Sequence, residues 1–559
     1  MAASLAAAPG ISNAVALLHN GEIHGFTTPI QDSNTTLEFV RTCQPYYAVP
    51  TQIHTLGAFP MTTNGKIDKK ALRALISPSL PEKPKEVKTY TQSISSCDTL
   101  VKGRSVSSSS ILTDDTEVEE VKMELPEKRW GQPWRGIRHR AFIAYRTLFT
   151  IVTLVNLVPF LAIAISQKHE SWLQYLVPAN LLAAILIRQD MVINMLYGIL
   201  CSLPKWFPFW IRRRCAKVYH LGGLHASAGI FATMWLMIDT IWSTVSYLES
   251  PTSGFQLPCL VLSWLLAFLC LIIVTFAIPA FRKKFHNSFE RIHRFLGWTV
   301  LLLFWVKTVL GAYGASQTAE GAWTALYQNP VFWMLCLATC AVASSWMFLR
   351  KVPVDVVPLS DHAAMLTFSY TTPVNGSFVR LSNRPLLEWH SFATIPNPGQ
   401  LADSKGFSLI VSNAGDWTKQ VIQKPQTKIW VRGLPTCGVM RIATLFNRVL
   451  IIATGSGIGP VLGHINHPSC PTQLLWSTPN PEKTFGRGIV KTIKKSIPDA
   501  VVHDTKIKGR PDLVRMGYNM ATNFGAEAVI IIANEKITKK VVYGLETRGI
   551  AAYGAIWDS

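Results

Sequence analysis

Six apolar runs, each long enough to cross a lipid bilayer, dominate the middle of this 559-residue sequence. An α-helix needs about 20 mostly apolar residues to span the hydrocarbon core of a bilayer. The runs lie at about residues 147–165, 172–200, 218–247, 257–281, 295–313 and 330–349. They predict a six-helix membrane domain at residues 134–351, with lipid as a partner. The second run contains Arg188 and Asp190, so it either continues as a surface helix or pairs these charges inside the bundle.

Basic residues are distributed unevenly around the apolar runs. They concentrate in residues 128–146, 205–217 and 282–294 and at Arg350-Lys351, whereas the alternate loops are poor in cations. Because cytoplasmic loops carry an excess of Lys and Arg, these segments and both termini are predicted to be cytosolic, in a membrane whose identity stays open. The formal net charge of +21 is spread over short loops rather than gathered on one face, so nucleic acid is not an expected partner.

The sequence before the apolar runs has two parts. Residues 1–80 alternate strand-like stretches with a helix start after Asp68, which predicts a separate small domain. Residues 81–133 are rich in Pro, Ser, Lys and Glu, and this composition predicts a disordered linker. The ten cysteines of the chain are scattered without a C-x-x-C pair, so neither a disulfide framework nor a zinc site is expected.

The pattern changes to short strand-like runs after the last apolar run. Residues 352–447 are predicted to form a small antiparallel β-barrel, and residues 448–559 an α/β domain. The α/β domain begins with a buried strand from Val449 to Thr454, which leads directly into a glycine-rich turn and a helix-compatible segment. Such a turn lets backbone N–H groups approach a pyrophosphate closely. The predicted nucleotide-binding residues are Gly455, Ser456, Gly457, Ile458, Gly459 and Pro460.

The segment from His390 to Ile395 resembles the H-P-F-T segment of ferric reductases and NADPH oxidases, with Ser391 in place of the proline and one residue inserted before Thr394. The resemblance implies a ferredoxin-reductase-like barrel that holds FAD through His390, Ser391, Phe392, Thr394 and Ile395. It implies that Phe392 packs near the flavin ring and that the Thr394 hydroxyl bonds near its N5 atom, which makes Thr394 a predicted catalytic residue.

Further motifs of the same families follow in the same order. Gly415, Trp417 and Thr418 are similar to the G-x-W-T turn that meets the FAD phosphates, and residues 433–438 occupy the place of a G-P-Y-G loop. The families often place a C-terminal aromatic over the flavin ring, so Trp557 is the second predicted catalytic residue; alternatively it packs into a groove of the core.

The nicotinamide cofactor is less well specified than FAD. No Asp or Glu stands at the end of the second strand of the α/β domain to favour NAD, while Lys483 and Arg487 are placed to attract a 2′-phosphate. These two residues are also compatible with ordinary solvated loop cations. NADPH is preferred over NADH because Lys483 and Arg487 can attract the 2′-phosphate and no acidic residue stands at the strand end. The C-G-P segment of the families is replaced by a run that ends at Asn534.

Ferric reductases and NADPH oxidases hold two stacked haems between paired histidines spaced 13 or 14 residues apart on each helix. Here His225 and His293 are placed to hold a single inner haem, or else to form a polar cluster at the membrane surface. The positions one spacing deeper lack histidine, so no outer haem is expected; they include Ile238, Asp239, Val306 and Lys307.

The N-terminal part resembles a different family. Residues 47–50 and 63–72, with the N-G-K sequence that ends at Lys66, resemble the C-terminal subdomain of adenylate-forming enzymes such as nonribosomal peptide synthetases. No phosphate loop or large ATP-binding subdomain precedes this piece, so it is interpreted as a relic or docking piece. The whole order of segments resembles the fungal Tmp-type transmembrane flavoproteins.

The sequence therefore predicts a multidomain membrane oxidoreductase that passes hydride from NAD(P)H to FAD, and then electrons to an unidentified acceptor on the cytosolic side. The alternative is a non-catalytic flavin-bearing sensor or scaffold, which the altered H-P-F-T segment and the missing C-G-P favour. A transporter is disfavoured because the helices show no clear internal repeat.

Overall fold

The computed structural model describes most of the chain, in two compact units formed by Met1–Thr116 and Glu117–Ser559. The described residues are 5–19, 22–43, 49–61, 67–76, 125–129, 131–140, 142–166, 172–250, 254–316, 318–397 and 405–554. Lys66, Trp557 and most of the predicted linker at 81–133 lie outside them, so the expectations for those residues stay predictions.

The first unit is a three-stranded sheet with one helix on each face. Its elements are β1 (Asn13–His19), β2 (Glu22–Thr28), α1 (Ser33–Cys43), β3 (Gln52–Thr55) and α2 (Lys69–Ala74). The central strand β2 pairs antiparallel with β1 and parallel with β3. Val40 of α1 packs on one face of the sheet against Ile53, and Leu72 of α2 packs on the other against Phe26. The predicted helix start is found, because Asp68 accepts a hydrogen bond from the N–H of Ala71 at 3.1 Å and so caps α2.

The second unit begins with a helical bundle. Its helices are α3 (Gln132–Arg140), α4 (Ala144–Ser166), α5 (Leu173–Leu186), α6 (Asp190–Cys201), α7 (Phe209–Cys215), α8 (Gly222–Glu249), α9 (Gln256–Ala277), α10 (Pro279–Lys284), α11 (His286–Ser316), α12 (Ala319–Gln328) and α13 (Pro330–Met347). Five of them, α4, α8, α9, α11 and α13, are long and apolar enough to cross a membrane; α5 and α6 together make a sixth candidate, bent by 71°.

The bundle is held together by apolar packing and by one buried polar cluster. Trp235 and Leu236 of α8, Leu266 of α9 and Phe304 of α11 share a core. Two asparagines exchange side-chain hydrogen bonds at 2.9 and 3.1 Å, and the Trp235 indole N–H donates to one of them at 2.8 Å. These asparagines, Asn156 of α4 and Asn180 of α5, join three helices. Interhelical bonds of this kind favour helix association where water is absent.

The second apolar run does not form a straight helix. Its first part, α5, has 14 residues and is about 21 Å long at 1.5 Å per residue, which is shorter than the roughly 30 Å core of a bilayer. Its second part, α6, buries Tyr197 and Cys201 in the same core as Phe446 and Val449 of the C-terminal half. The expectation of six full-length crossings is therefore corrected to five long helices and one bent pair.

A sandwich of two four-stranded sheets follows the bundle. Its elements are β4 (Arg350–Pro353), β5 (Asp355–Pro358), β6 (Ala363–Phe368), β7 (Ser377–Ser382), β8 (His390–Ala393), β9 (Ile395–Pro396), β10 (Phe407–Ser412), α14 (Asp416–Gln423) and β11 (Lys428–Cys437). The strand orders are β5-β6-β10-β9 and β4-β11-β7-β8. Both sheets contribute to one core around Phe368, Leu381 and Leu409. Strand pairing within the described residues does not close these sheets into the predicted barrel.

The chain ends in an α/β domain with a parallel sheet. Its elements are β12 (Val449–Thr454), α15 (Ile458–Asn466), β13 (Thr472–Thr478), α16 (Pro481–Phe485), α17 (Arg487–Ser496), β14 (Val501–Asp504), α18 (Leu513–Phe524), β15 (Ala528–Ile532), α19 (Glu535–Glu546) and β16 (Ala551–Gly554). The strand order is β14-β13-β12-β15-β16. The chain leaves β12 toward β13 on one side and returns to β15 on the other, so the order reverses between β12 and β15. Doubly wound sheets bind ligands at the carboxyl ends of the strands at such a point.

Candidate functional site

The predicted nucleotide turn lies at this reversal of strand order. Strand β12 ends at Thr454, residues Gly455–Gly457 form a 3-10 turn, and α15 begins at Ile458. The indole N–H of Trp476 in β13 donates to the carbonyl oxygen of Gly455 at 3.0 Å and so holds the turn against the sheet. The structure therefore places the six predicted nucleotide-binding residues at the carboxyl edge of the sheet.

Glycine is favoured at two positions of the turn, for a different structural reason at each. A Cβ atom on Gly457 would lie 2.2 Å from the carbonyl oxygen of Ile532 in β15, so only glycine lets the turn pass that strand. Gly455 has a φ of +51°, which favours glycine, and a Cβ there would meet no protein atom within 4 Å. The turn is thus tight on the side of the sheet and open on the other side, as a backbone that approaches a phosphate requires.

The end of β13 carries the residues considered for the ribose. Arg487 is exposed and lies 3.4 Å from Glu482. The carboxylate of Asp504, at the end of the neighbouring strand β14, accepts hydrogen bonds from the N–H groups of Asn480 and Lys506 at 3.0 and 2.8 Å. An acidic group therefore stands beside the end of β13, which inspection of that strand alone did not detect. Its hydrogen bonds stabilise the loop.

Three aromatic rings of the predicted flavin segment stack. The Trp417 ring lies 4.3 Å from the His390 ring and 5.6 Å from the Phe392 ring, centroid to centroid, and is near parallel to both. His390 and Phe392 are two residues apart in β8, so they share one face of the strand. The indole N–H of Trp417 is buried and has no hydrogen-bond partner. The structure thus brings motifs 25 residues apart together, with one buried donor that a bound group would satisfy.

Thr394 and Ser391 lie where the resemblance did not anticipate. Thr394 is only 1% exposed, and its hydroxyl donates to the carbonyl oxygen of Ser377 at 3.0 Å. Its own carbonyl oxygen faces α15, where a Cβ on Gly463 would approach it to 2.9 Å. The exposed hydroxyl in β8 is that of Ser391. Thr394 and Ile395 therefore form part of the contact between the sandwich and the α/β domain. The Thr394 hydroxyl is not exposed for the expected hydrogen bond to a flavin ring.

Thr418 caps the first turn of α14. Its hydroxyl accepts hydrogen bonds from the N–H groups of Ala414 and Gly415 at 2.9 and 3.0 Å, and donates to the Gly415 carbonyl oxygen at 2.9 Å. A Cβ on Gly415 would meet no atom within 4 Å, so the space in front of the helix start is open. The Thr418 hydroxyl stabilises the turn through these hydrogen bonds. Contact with a phosphate stays a prediction, and it concerns the backbone at the start of α14.

Asp190 joins the bundle to the sandwich. Its carboxylate accepts hydrogen bonds from Arg380 of β7 at 2.6 Å and from the Thr436 hydroxyl of β11 at 3.1 Å. Gly433 has a φ of +70°, and a Cβ there would lie 2.1 Å from the same carboxylate. Asn194, one turn further along α6, also bonds the backbone of β11. The hydrogen-bonding partners of Asp190 are therefore in the sandwich, and the loop at 433–438 contacts α6.

A second ion pair, between a buried arginine and a partly buried carboxylate, joins the bundle to the α/β domain. Arg212 of α7 is 4% exposed and binds both carboxylate oxygens of Glu527, at 2.8 and 3.3 Å, as well as the Leu445 carbonyl oxygen at 2.7 Å. Asn447 also donates to Glu527. Burial alone would raise the pKa of Glu527, but these hydrogen bonds outweigh it and the pKa is lowered. Sequence inspection missed this pair, because its members are 315 residues apart.

The two histidines considered for haem face each other between α8 and α11. Their ring centroids lie 5.9 Å apart, and His225 Nδ1 is 2.8 Å from the carbonyl oxygen of Ala184. The rings meet edge to face at an interplanar angle of 63°, and a haem held by the two histidines stays a prediction. Residues 14 positions further along each helix, Asp239 and Lys307, form an ion pair at 3.5 Å. A salt bridge thus occupies the level of an outer ligand pair.

Comparisons with known proteins find similarity to adenylate-forming reductases of Coprinopsis cinerea. Residues 439–559 match the family described as "Adenylate-forming reductase 03009, C-terminal domain". Adenylate-forming reductase 03009 of Coprinopsis cinerea is 37% identical over 603 aligned residues, which cover 100% of this chain and 58% of that protein. The nonribosomal peptide synthetase tcpP of Claviceps purpurea is 39% identical over 72 residues, or 12% of this chain and 3% of that protein.

Among solved structures, a ferredoxin NADP+ reductase from Neisseria gonorrhoeae with bound FAD and NADP covers 37% of this chain and 99% of its own, at 13% identity and a TM-score of 0.30. The similarity to the C. cinerea reductase extends over the whole of this chain, and the chain spans a little over half the length of that reductase.

Proposed function

We propose that residues 352–554 form an NAD(P)H-dependent flavin reductase module that is docked on a membrane helix bundle. The observation that carries this proposal is the joining of two half-sites in one compact unit. The nucleotide turn after β12 and the stacked segment around Trp417 are linked through α15, which packs on the strand junction at Thr394. FAD, when bound, would accept hydride from NAD(P)H and pass electrons to an acceptor that stays unidentified.

In this proposal the protein binds, orients and excludes water. Gly457 lets the turn lie close to β15, and Trp476 fixes its position, so that backbone N–H groups face the dinucleotide. The open start of α14 receives the FAD phosphates, and the Trp417 indole N–H supplies a buried donor. Arg487 and Lys483 favour NADPH over NADH, although Glu482 partly neutralises the Arg487 charge.

The bundle places this module at a membrane, in the proposal, with the reductase on the cytosolic side. Five long apolar helices and the basic loops support that placement. The similarity to adenylate-forming reductases supports a reductase activity for the C-terminal half. The order of segments also fits the fungal Tmp-type flavoproteins.

A flavin-bearing sensor without turnover is the second candidate. One observation favours it: the hydroxyl expected to contact the reactive part of the flavin, that of Thr394, is buried and bonded to Ser377. The two candidates differ in one measurable property, because only the enzyme oxidises NADPH in repeated turnovers.

An absorption spectrum of detergent-purified full-length protein tests the proposal. We expect the visible bands of oxidised flavin, and we expect NADPH to bleach them without oxygen. Trp417→Phe should lower FAD affinity several-fold, because it removes only the buried donor and keeps a stacking ring. Trp305→Phe is the matched control, since its N–H donates to Thr339 in the bundle.

A folded, colourless preparation that FAD does not reconstitute would refute the flavin assignment. Flavin that NADPH leaves oxidised would favour the sensor. An added Soret band would assign a haem to His225 and His293.

A further inference from the structure

A cationic pocket lies between the segment before the first apolar helix and the last helix of the α/β domain. It encloses about 210 Å³ and is lined by four arginines, Arg129, Arg135, Arg138 and Arg213, together with Trp134 and Glu546. The arginines come from two places in the chain: residues 129–138 in and before α3, and residue 213 in α7. Neither the nucleotide turn nor the flavin segment contributes to this pocket.

Cationic side chains predominate among the described residues that line the pocket. Glu546 is its only lining carboxylate among the described residues, and that group is already shared with His139 at 3.6 Å and Lys217 at 3.8 Å. Arginine stays protonated in proteins and presents planar N–H donors that match phosphate oxygens in pairs. Four guanidinium groups around one space therefore provide the donor set of a phosphate site.

The backbone is arranged to keep Arg129 in this pocket. The N–H of Arg129 donates to the Thr547 carbonyl oxygen at 2.8 Å, and Arg548 donates to the Pro126 carbonyl oxygen at 2.9 Å. Gly549 has a φ of +96°, and a Cβ there would lie 2.4 Å from the guanidinium carbon of Arg129. The glycine thus leaves the space that the guanidinium group occupies, which makes the pocket a built feature of the fold.

The pocket lies at the ends of two apolar helices. Arg138 is six residues before the start of α4, and Arg213 is nine residues before the start of α8. Trp134 at the pocket and Trp210 in α7 are 66% and 69% exposed. Exposed tryptophans and arginines next to apolar helices are typical of the headgroup level of a bilayer.

We propose that the cationic pocket binds the phosphate of an anionic membrane lipid headgroup. The lipid as source rests on the proposed membrane placement, whereas the phosphate chemistry rests on the arginines alone. A bound headgroup would contact α3, α7 and the C-terminal end of α19 together, and would so tie the α/β domain to the membrane surface.

Binding of soluble short-chain lipids to the detergent-purified full chain tests the proposal. The probes are dioctanoyl phosphatidic acid, dioctanoyl phosphatidylcholine and inorganic phosphate, each titrated calorimetrically. We expect phosphatidic acid to bind most tightly and Arg135→Gln to weaken it about tenfold or more, since one charge-assisted donor is lost. Arg214→Gln is the matched control, because Arg214 is exposed beside Arg213 and does not line the pocket.

Three outcomes would overturn the proposal: equal binding of phosphatidylcholine, equal weakening by Arg214→Gln, or inorganic phosphate that binds as tightly as phosphatidic acid. The last would assign the pocket to a soluble phosphate. Flavin absorbance and NADPH oxidation of the same samples report folding and the proposed reductase function separately. If Arg135→Gln loses its flavin, Arg138→Gln provides the second test.

Discussion

At the scale of single residues, two positions control how elements pack: Gly457, through its missing side chain, and Arg212, through its hydrogen bonds. Gly457 sets how closely the nucleotide turn passes β15. Arg212 donates hydrogen bonds to the Glu527 carboxylate and to the Leu445 carbonyl oxygen, where the bundle meets the α/β domain. Each offers a substitution whose effect follows from a distance in the structure.

Gly457→Ala should impair nicotinamide binding while FAD remains bound. The new Cβ would lie 2.2 Å from the Ile532 carbonyl oxygen, and because backbone of a central strand cannot yield, the turn must move. We expect the KM for NADPH to rise about tenfold or more, since 1.4 kcal/mol of lost binding is a factor of ten. Steady-state kinetics at saturating FAD measure this. Gly488→Ala in α17, where a Cβ meets no atom within 4 Å, is the control; similar KM values for both variants would contradict the argument.

Arg212→Ala should destabilise the protein by about 3 kcal/mol or more, because it leaves a partly buried carboxylate without its main partner. Thermal unfolding followed by tryptophan fluorescence would show it. Arg214→Ala, at the exposed neighbouring position, should stay within about 0.5 kcal/mol of the wild type.

The same pair predicts a pH dependence. The pKa of Glu527 is lower in the folded than in the unfolded chain. Its contribution to the free energy of unfolding is therefore complete above the pKa in the unfolded chain, about 4.3, and is lost as the pH falls through the pKa in the folded chain. The difference in Tm between wild type and Glu527→Gln should therefore shrink as the pH falls below about 4.3. A difference that grows toward low pH would show that the sign is wrong.

At the scale of elements, the break between α5 and α6 divides the second apolar run into a helix of the bundle and a helix that contacts the sandwich. Gln189 has an extended backbone with a ψ of 137°, and Asp190 begins α6. The Asp190 carboxylate then meets Arg380 and Thr436 across the junction, and Gly433 makes room for it. One buried charge inside an apolar run thus marks where the helix leaves the bundle.

Asp190→Asn should loosen β11 from α6 without unfolding the bundle. The amide can still accept from Thr436, but it loses the charge that binds Arg380, which lies 19% exposed beside it. Hydrogen exchange should show lower protection of the β11 amides. Asp239→Asn is the control, because Asp239 pairs with Lys307 inside the bundle and not with the sandwich; lower β11 protection there as well would point to a general loss of stability.

At the scale of the whole molecule, all candidate redox positions lie near one end of the bundle. His225 and His293 are close to the starts of α8 and α11, and the flavin segment belongs to the sandwich that follows α13. A second ligand pair would stand about 20 Å deeper at 1.5 Å per residue, where Asp239 and Lys307 form their ion pair.

Electrons should therefore not reach the opposite side of the membrane. In sealed vesicles with NADPH on the reductase side only, an impermeant ferric chelate on the far side should stay oxidised, while an acceptor on the near side is reduced. Empty vesicles give the background. Reduction of the far chelate that depends on this protein, or a spectrum with two b-type haems, would overturn this prediction.

Local patterns were sufficient for much of the architecture. The apolar runs, the strand before Gly455 and the helix start after Asp68 were all predicted, because hydropathy, chain length and capping act over a few neighbouring residues. The order of the flavin and nucleotide motifs was also readable, whereas the stacking of His390, Phe392 and Trp417 on one another was not predicted.

Only the tertiary structure decided where side chains point and what they meet. The sequence by itself determined a chain of apolar helices followed by strands and a nucleotide turn. It did not determine that Thr394 turns inward to Ser377, that Asp190 binds Arg380, or that Arg213 lines one pocket with three arginines of residues 129–138. These contacts join residues that are far apart in the chain, so they depend on which elements pack together, and no local periodicity encodes that choice.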